Sequence, residues 1–237
     1  MTCTHAGDVI GIASAARDQK AVRAFKAFVR RKSYPCLGAK SALSRHALHC
    51  LCAEDIRHVA DDGRIAACVQ TFAANAKEND VFLSLAVLFP GSPLLSELEF
   101  EQALWHRLAS IHAIDRVQHH WDNSVSDDPA SRNFSMSFGG RGFFVVGLHP
   151  GASRIARRSQ CPVMVFNLHS QFEQLRAQGR YENLRATIAA RDFAFSGSRN
   201  PMLAAFGQRS EARQYSGRIV GDDWVCPFAL QEEEQSE

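Results

Sequence analysis

The stretch that organises the chain is NFSMSFGGRGFFVVGLHP, residues 133–150. Its first six residues alternate polar and apolar side chains, a period of two that predicts a half-buried strand. Gly139 and Gly140 then predict a turn, and residues 143–146 form the unbroken apolar run that is typical of a strand buried on both faces. The two strands are predicted to form a β-hairpin, which ends at Pro150 because proline has no backbone N–H to donate.

A histidine and a row of arginines follow this hairpin. His149 ends the second strand, and Arg154, Arg157 and Arg158 have the spacing i, i+3 and i+4, which predicts one face of a short basic helix. A helix start favours anions, an arginine binds carboxylates through paired hydrogen bonds, and a histidine can ligate a metal. We therefore interpret this constellation as a candidate site. The alternative is structural, because a strand-end histidine is commonly a hydrogen-bonded core residue and an arginine row is commonly a solvated face.

Composition excludes several classes of protein. The 237 residues are 46% hydrophobic and 22% charged, which is ordinary for a globular protein. Lysine and arginine total 27 against 25 for aspartate and glutamate, so no basic excess indicates a dedicated nucleic-acid binder. No apolar run approaches the ~20 residues that cross a bilayer and no secretory signal is visible, so we predict a cytoplasmic protein without membrane contact. The seven cysteines contain no C-x-x-C pair, which favours reduced thiols over disulfides or a structural zinc site.

The remaining periodicity predicts further helices and strands. Two Ser-x-x-Glu patterns, Ser96 with Glu99 and Ser170 with Glu173, predict capping boxes that open two helices. Helical spacing and strand patterns predict the other elements: helices over 20–31, 55–76 and 181–191, and strands over 46–52, 81–89 and 163–168.

These elements predict a single α+β domain over residues 19–228. Its centre is a mixed or antiparallel sheet of about five strands, covered by helices. Residues 1–18 are predicted to be flexible, and the acidic residues 229–237 are predicted to be a disordered tail.

The segment of residues 193–228 lacks regular periodicity. Residues 193–228 still contain apolar side chains to be buried, and a long structured loop of this kind is commonly functional. The familiar motifs G-x-S-x-G, H-E-x-x-H and the P-loop are absent from the chain. Earlier in the sequence, His119 and His120 beside Asp122 suggest a metal corner, with a solvated histidine pair as the plainer alternative.

His149, Arg154 and Arg157 meet two demands of a heme pocket. Iron needs an imidazole on rigid backbone, and the two propionates need cations. The apolar residues 143–148 would wall a flat cofactor. The same residues would also fit a phosphate or a carboxylate substrate, and composition does not choose between these ligands.

Five segments carry a resemblance to a known family. They are YPCLGA (34–39), LHPGASRIARR (148–158), FNLHSQFEQLRAQGRY (166–181), GSRNPMLAAFGQRSEARQYSGR (197–218) and WVCPF (224–228). In this order they resemble the YqcI/YcgG family across residues 34–228. That family is known for heme-dependent N-hydroxylases of natural-product pathways, among them the guanitoxin-pathway enzyme and the arginine N-hydroxylase of D-cycloserine biosynthesis.

The resemblance implies a heme b protein that uses dioxygen and an external electron donor to hydroxylate a guanidino nitrogen. The implied substrate is a guanidine such as L-arginine, converted to N-omega-hydroxy-L-arginine in antibiotic biosynthesis. The implied partner is an electron-donor reductase. The sequence leaves open whether the protein also forms a homodimer. Carried over by position, the H-P motif of the family is His149-Pro150 and its arginines are Arg154, Arg157 and Arg158, and we predict that His149 and these arginines bind the cofactor. The competing interpretation is a heme-binding or heme-sensing protein without turnover.

Three residues are candidates for the axial ligand of the iron. His149 is favoured because it ends a buried strand beside the arginines, and His169 is second because it also ends a strand. Cys36 is third. A thiolate suits oxygen activation, but only Lys32 and Lys40 lie nearby in sequence to lower the pKa of this thiol.

The substrate pocket is expected to contain a carboxylate, because a guanidinium stays protonated at neutral pH. Glu211 is the predicted partner, with Arg213 and Tyr215 nearby to orient it or to bind the substrate carboxylate. Asp122 is the alternative carboxylate. The plainer interpretation is that Glu211 only pairs with Arg209 or Arg213 and fastens the loop.

Overall fold

A five-stranded sheet forms the centre of the computed structural model, which describes residues 12–77, 81–202 and 208–228. The strands lie in the order β1-β2-β5-β4-β3, with β1 parallel to β2 and every other neighbouring pair antiparallel. The predicted single-domain α+β fold with a mixed sheet of about five strands is confirmed. The strands are β1 (Leu48–Cys52), β2 (Ser84–Leu88), β3 (Met136–Phe138), β4 (Arg141–Leu148) and β5 (Val163–Leu168).

Helices pack around this sheet. None of the helices in the described ranges is long and apolar enough to cross a bilayer. Single 3-10 turns lie at Val59–Asp61 and Ile155–Arg157. The α-helices of the described residues are α1 (Ile12–Arg30), α2 (Leu37–Ser44), α3 (Asp62–Asn75), α4 (Glu97–Asp115), α5 (His169–Ala177), α6 (Tyr181–Ser196) and α7 (Ala212–Tyr215).

Two predicted boundaries at the N-terminal side need correction. α1 begins at Ile12, so residues 12–18 are helical rather than flexible. The helix predicted over 55–76 begins at Asp62, after the 3-10 turn. The predicted acidic tail, residues 229–237, lies outside the described part of the chain.

Of the two predicted capping boxes, the structure contains the first and lacks the second. The Ser96 hydroxyl accepts the Glu99 amide at 3.3 Å while the Glu99 carboxylate accepts the Ser96 amide at 2.8 Å, so the first box is confirmed. The second box is wrong because α5 already begins at His169, which places Ser170 inside the first turn. The Ser170 hydroxyl accepts a hydrogen bond from Arg141 there instead.

The predicted hairpin of β3 and β4 is confirmed. Phe138 pairs with Arg141 across Gly139 and Gly140, whose φ angles are +58° and +69°. Both angles lie in the left-handed region that glycine adopts without steric cost and that tight hairpins require. The Asp115 carboxylate accepts the Gly139 N–H at 3.0 Å, so α4 holds the turn in place.

The two faces of the sheet have different partners. One face packs against α3 and α4 through a core that includes the fully buried Phe138, Phe143 and Phe166. The opposite face is covered at one end by Phe25 and Phe28 of α1. Each fully buried large apolar side chain contributes about 1.5–3 kcal/mol, so these cores hold the layers together. The rest of the second face lines a cavity.

Residues 208–218, here the 208–218 segment, are fastened to the body of the fold at several points. The Ser210 hydroxyl donates to a loop carbonyl at 2.6 Å, and the Tyr215 hydroxyl donates to a carbonyl of β4 at 2.9 Å. The Ser216 hydroxyl donates to the Glu101 carboxylate of α4 at 3.0 Å. The predicted structured loop is therefore tied to three different parts of the molecule.

Candidate functional site

A cavity of about 300 Å³ opens between the second sheet face and two helix pairs. α1 and α2 contribute one wall, α5 and α6 contribute the other, and β4 and β5 form the floor. A concave and mostly apolar space of this size is typical of a small-molecule site. Its apolar lining includes Phe25, Val29, Phe144, Val146, Leu175 and Ile188.

Cys36 lies in this cavity, at the start of α2. Its sulfur accepts the Ala39 amide N–H at 3.4 Å. Burial raises the pKa of the thiol, while the helix-start amides and the Arg157 guanidinium act in the opposite direction. Of the three candidate axial ligands, Cys36 is the one that lines the cavity.

Arg157 is a partly buried cation in the same cavity. Its guanidinium donates to the carbonyls of Gly147 at 2.7 Å, Gln214 at 3.1 Å and Tyr215 at 3.3 Å. Among the residues that the structure describes, no carboxylate forms a salt bridge with it, and burial lowers its pKa. Because a desolvated charge without a counter-charge is costly, this side of the cavity favours an anion.

The other two arginines of the predicted basic helix differ in position, since Arg154 lines the cavity and Arg158 does not. Residues Ile155–Arg157 form only one 3-10 turn, so the three arginines share no helix face and the predicted helix is wrong. Arg154 lines the cavity, but its charge is already paired with Asp192 of α6, with Nε and Oδ2 2.8 Å apart. Arg158 donates to two neighbouring loop carbonyls and does not line the cavity.

His149 lies on the other side of the sheet from the cavity. Side chains alternate between the two faces of a strand. Because the Leu148 side chain lines the cavity, the side chain of the next residue, His149, points to the opposite face, toward α4. The imidazole stacks on Phe100, with ring centroids 4.3 Å apart, and the residue is only 1% exposed. Burial lowers its pKa. His149 therefore does not line the cavity that Arg157 lines, although its backbone N–H donates to the Arg157 carbonyl at 3.0 Å and the Arg157 guanidinium acts on its pKa in the same direction as burial.

Glu211 is a carboxylate in the wall of the same cavity as Cys36. It accepts a hydrogen bond from the Ser135 hydroxyl at 3.3 Å, and burial raises its pKa to about 7 from the ordinary 4.5. Arg209 pairs instead with Asp222 at 2.8 Å. In the described residues Glu211 forms no salt bridge with Arg209 or Arg213, so the ion pair that would fasten the loop in the plainer interpretation is not formed.

Arg213 and Tyr215, which were predicted to assist Glu211, do not line the cavity. Arg213 donates to a nearby carbonyl and lies over the Trp224 ring, 5.6 Å from its centroid. Tyr215 is fully buried and stacks on Trp105 with centroids 5.3 Å apart. Both side chains therefore contribute to packing rather than to the cavity.

One known protein family matches the segments of the chain that build this cavity. The model of the YqcI/YcgG family matches residues 25–229. The chain belongs to the YqcI/YcgG family. The match includes Cys36, Arg157 and Glu211, and it confirms the family that the sequence resembles. No curated protein and no solved structure gives a significant match.

Asp122, the alternative carboxylate of this YqcI/YcgG protein, lies outside the cavity. It accepts the Ser124 amide at 2.9 Å and the Gly142 amide at 2.7 Å. Burial opposes its ionisation, but these hydrogen bonds outweigh that effect and lower its pKa. In the described ranges no three His, Cys, Asp or Glu side chains are arranged to bind a metal, so the proposed corner at His119 and His120 is not formed.

His169, the second axial candidate, is buried in a polar network and does not line the cavity. Its Nδ1 lies 3.2 Å from Ser135 Oγ, and its Nε2 lies 3.1 Å from Glu173 Oε1. Burial lowers its pKa. Sequence reasoning missed Ser135, because a serine that alternates with apolar residues resembles a solvent-facing position, whereas this one is fully buried. The spacing of His169 and Glu173, four residues apart on a helix, was the available signal.

Three features of this YqcI/YcgG cavity have the chemistry that a heme held by a thiolate would need. The apolar walls suit a flat macrocycle, and Cys36 offers a sulfur that already accepts an amide N–H. Arg157 offers a cation that lacks a carboxylate partner in the described structure. A histidine-ligated heme does not fit the same space, because neither His149 nor His169 lines it.

Proposed function

We propose that this protein is a heme-dependent monooxygenase that uses dioxygen to hydroxylate a guanidino nitrogen, with L-arginine as the expected substrate. The observation that carries the proposal is that Cys36, Arg157 and Glu211 line one apolar cavity. These side chains are a ligand for iron, a cation for a propionate and a counter-charge for a guanidinium. The resemblance to the N-hydroxylases of the YqcI/YcgG family supports the same reaction class.

Cys36 would hold the heme iron, and Arg157 would bind a propionate. Bound heme would supply the activation of dioxygen, for which a thiolate ligand favours O–O cleavage. Ligation requires that Cys36 lose its proton, as protein thiols do on a metal. Burial opposes that loss, and the helix-start amides and the Arg157 guanidinium favour it. His149 has no part in this proposal because it lies beyond the sheet.

Glu211 would bind the substrate guanidinium. With a pKa of about 7, its carboxyl is about half protonated at neutral pH when no substrate is bound. A cation close to a carboxylate favours the charged form, so binding of the guanidinium lowers this pKa and releases a proton. The fork of guanidinium N–H groups also matches the two carboxylate oxygens, which orients the substrate.

The overall reaction balances as one substrate N–H, one dioxygen, two electrons and two protons giving one N–OH and one water. The electrons come from an external donor, which we propose to be a cytoplasmic reductase. The mostly apolar lining of the cavity would surround the reacting groups with few competing polar side chains. We place the activity in a natural-product pathway such as antibiotic biosynthesis.

The test is the absorption spectrum of the full chain reconstituted with hemin, before and after addition of L-arginine. We expect a red protein whose reduced carbon monoxide complex has the red-shifted band of thiolate ligation. L-arginine should shift the spectrum, and with a chemical reductant and dioxygen it should yield hydroxyarginine. Cys36→Ser should lose the thiolate band, whereas the matched control Cys161→Ser should retain it because Cys161 does not line the cavity.

Three outcomes would change the assignment. A chain that takes up no hemin refutes the proposal. A red protein that responds to no guanidine supports the heme-binding or heme-sensing alternative instead. Loss of heme in His149→Ala, with full retention in Cys36→Ser, would return the ligand role to His149.

A further inference from the structure

Four side chains form a continuous hydrogen-bonded chain from the cavity to the protein surface. Glu211 lines the cavity and its Oε2 lies 3.3 Å from Ser135 Oγ. Ser135 Oγ lies 3.2 Å from His169 Nδ1, and His169 Nε2 lies 3.1 Å from Glu173 Oε1. The two middle residues are buried, whereas the Glu173 side chain is 52% exposed. We refer to these four residues as the 211–135–169–173 chain.

Two proton arrangements satisfy every hydrogen bond of this chain. In the first, a protonated Glu211 donates to the serine hydroxyl, which donates to Nδ1, and Nε2–H donates to ionised Glu173. In the second, His169 is a cation that donates to both neighbours, and the Ser135 hydroxyl turns to donate to ionised Glu211. The two arrangements differ by one proton moved from Glu211 to His169 through the Ser135 hydroxyl. No atom other than hydrogen has to move.

Burial and nearby charges act on both proton positions of the 211–135–169–173 chain. Burial raises the pKa of Glu211 to about 7, and burial lowers the pKa of His169 from its ordinary 6.5. Arg176 pairs with Glu173 and favours ionisation of Glu211, while Glu173 opposes that ionisation. Glu173 and Asp122 favour the imidazolium and Arg176 opposes it, so charges of both signs act on His169 as they do on Glu211. The buried Tyr215 phenol, whose own pKa Glu211 raises, faces the same carboxylate.

The order Ser135, His169, Glu173 resembles a nucleophilic triad, but the geometry opposes that function. A nucleophilic serine must be open to its substrate, whereas Ser135 has no exposed surface. Its hydroxyl also bonds the Glu211 carboxylate, which faces the cavity in its place. Ser135 is therefore an inner member of the 211–135–169–173 chain, and Glu211 is the member that faces the cavity.

We propose that Glu173, His169 and Ser135 are positioning residues that carry solvent protons to Glu211 in the cavity. This inference rests on the proposed function, because N-hydroxylation consumes two protons per turnover and Glu211 is the carboxyl group that lines the cavity at one end of this hydrogen-bonded path. A bound guanidinium favours ionised Glu211 and so moves its proton onto His169. The proton returns through Ser135 when the reaction draws one from the cavity, and Glu173 at the surface restores the next.

The first test needs neither heme nor turnover. The ring nitrogens of 15N-labelled His169 are followed by NMR from pH 5 to pH 9 in the heme-free chain. We expect neutral His169 to accept at Nδ1 and to carry its hydrogen on Nε2, with a titration in two steps that reflect the proton shared with Glu211. Ser135→Ala should reduce this to a single step. The matched control Ser137→Ala should keep the wild-type curve, because Ser137 is also buried and lies close to Ser135 in sequence, but its hydroxyl accepts the Asp122 amide N–H.

The second test measures turnover of L-arginine by the heme-loaded protein. His169→Gln retains a side chain that can hydrogen-bond both neighbours but cannot become a cation. We expect kcat to fall on the order of 100-fold in His169→Gln and Ser135→Ala, the scale of a lost proton-transfer group. Heme content and the L-arginine-induced spectral shift should stay at wild-type values. Should Ser135→Ala fail to fold, His169→Gln decides the turnover question alone.

The outcomes separate this inference from the proposed function. A chain that binds no heme refutes the proposed function, and the heme-free titration still decides whether the proton is shared. If both variants keep the wild-type kcat with normal heme content and substrate binding, the proposed proton transfer through His169 and Ser135 is overturned. The proposed monooxygenase function then still stands. The proposed proton transfer is also overturned if the His169 titration curve of Ser135→Ala superimposes on the wild-type curve.

Discussion

Glu211→Gln is expected to stabilise the substrate-free protein at high pH and to change its stability little at low pH. Burial raises the pKa of Glu211 from the ordinary 4.5 to about 7. The folded protein therefore binds this proton more tightly than the unfolded chain, so the free energy of unfolding falls as pH rises between these two values. At about 1.4 kcal/mol per tenfold difference in proton affinity, ionised Glu211 destabilises the fold by about 3 kcal/mol at pH 8.

Glutamine keeps the shape of the side chain and its bond to Ser135 but carries no charge. Urea denaturation should show Glu211→Gln to be more stable than the wild type by about 2–3 kcal/mol at pH 8, and by less than about 1 kcal/mol at pH 4.5. The control is Glu182→Gln, whose side chain is 68% exposed and paired only with Arg185. An equal gain at both pH values, or an equal gain in the control, would refute the reasoning from burial.

Three further changes test the packing and the ion pairs of the fold. Asp192→Asn should lower the free energy of unfolding in urea by about 3 kcal/mol, because it leaves the Arg154 charge without its carboxylate, and an unchanged midpoint would contradict this. Gly147→Ala should lower stability by about 1–3 kcal/mol in thermal unfolding, since its Cβ would lie 2.6 Å from Leu104 Cδ1; a wild-type Tm would show that the site relaxes freely. Ser96→Ala should cost about 1 kcal/mol through the lost cap while hemin uptake stays normal, so reduced uptake would contradict the placement of the site.

Features that depend on a few neighbouring residues could be predicted from the sequence. The turn at Gly139 and Gly140 needs left-handed backbone at two positions, and two adjacent glycines in the sequence predict it. The Ser96 cap is likewise a local exchange of hydrogen bonds. The same pattern failed at Ser170, because β5 runs directly into α5 and the helix begins before the serine.

The site could not be predicted in the same way, because it depends on which sheet face the helices leave open. Leu148 and His149 differ only by the alternation of the strand, and no local signal shows which of them meets the cavity. Cys36 has few charges near it in sequence, whereas in the fold the distant Arg157 acts on its thiol. Glu211 was chosen from the chemistry of a guanidinium, and the structure places it in the cavity wall.

The fastening of the 208–218 segment has a consequence for how quickly a ligand enters and leaves. Immobilising a flexible side chain at a binding site costs about 0.5–1.5 kcal/mol, and a swinging loop adds a closing step before the complex is complete. Ser210, Tyr215 and Ser216 already hold the backbone on either side of Glu211 in the ligand-free fold. The carboxylate is therefore in position when a guanidinium arrives, and capture needs no ordering of this segment. Guanidines of different size should then associate at similar rates and differ chiefly in how long they stay.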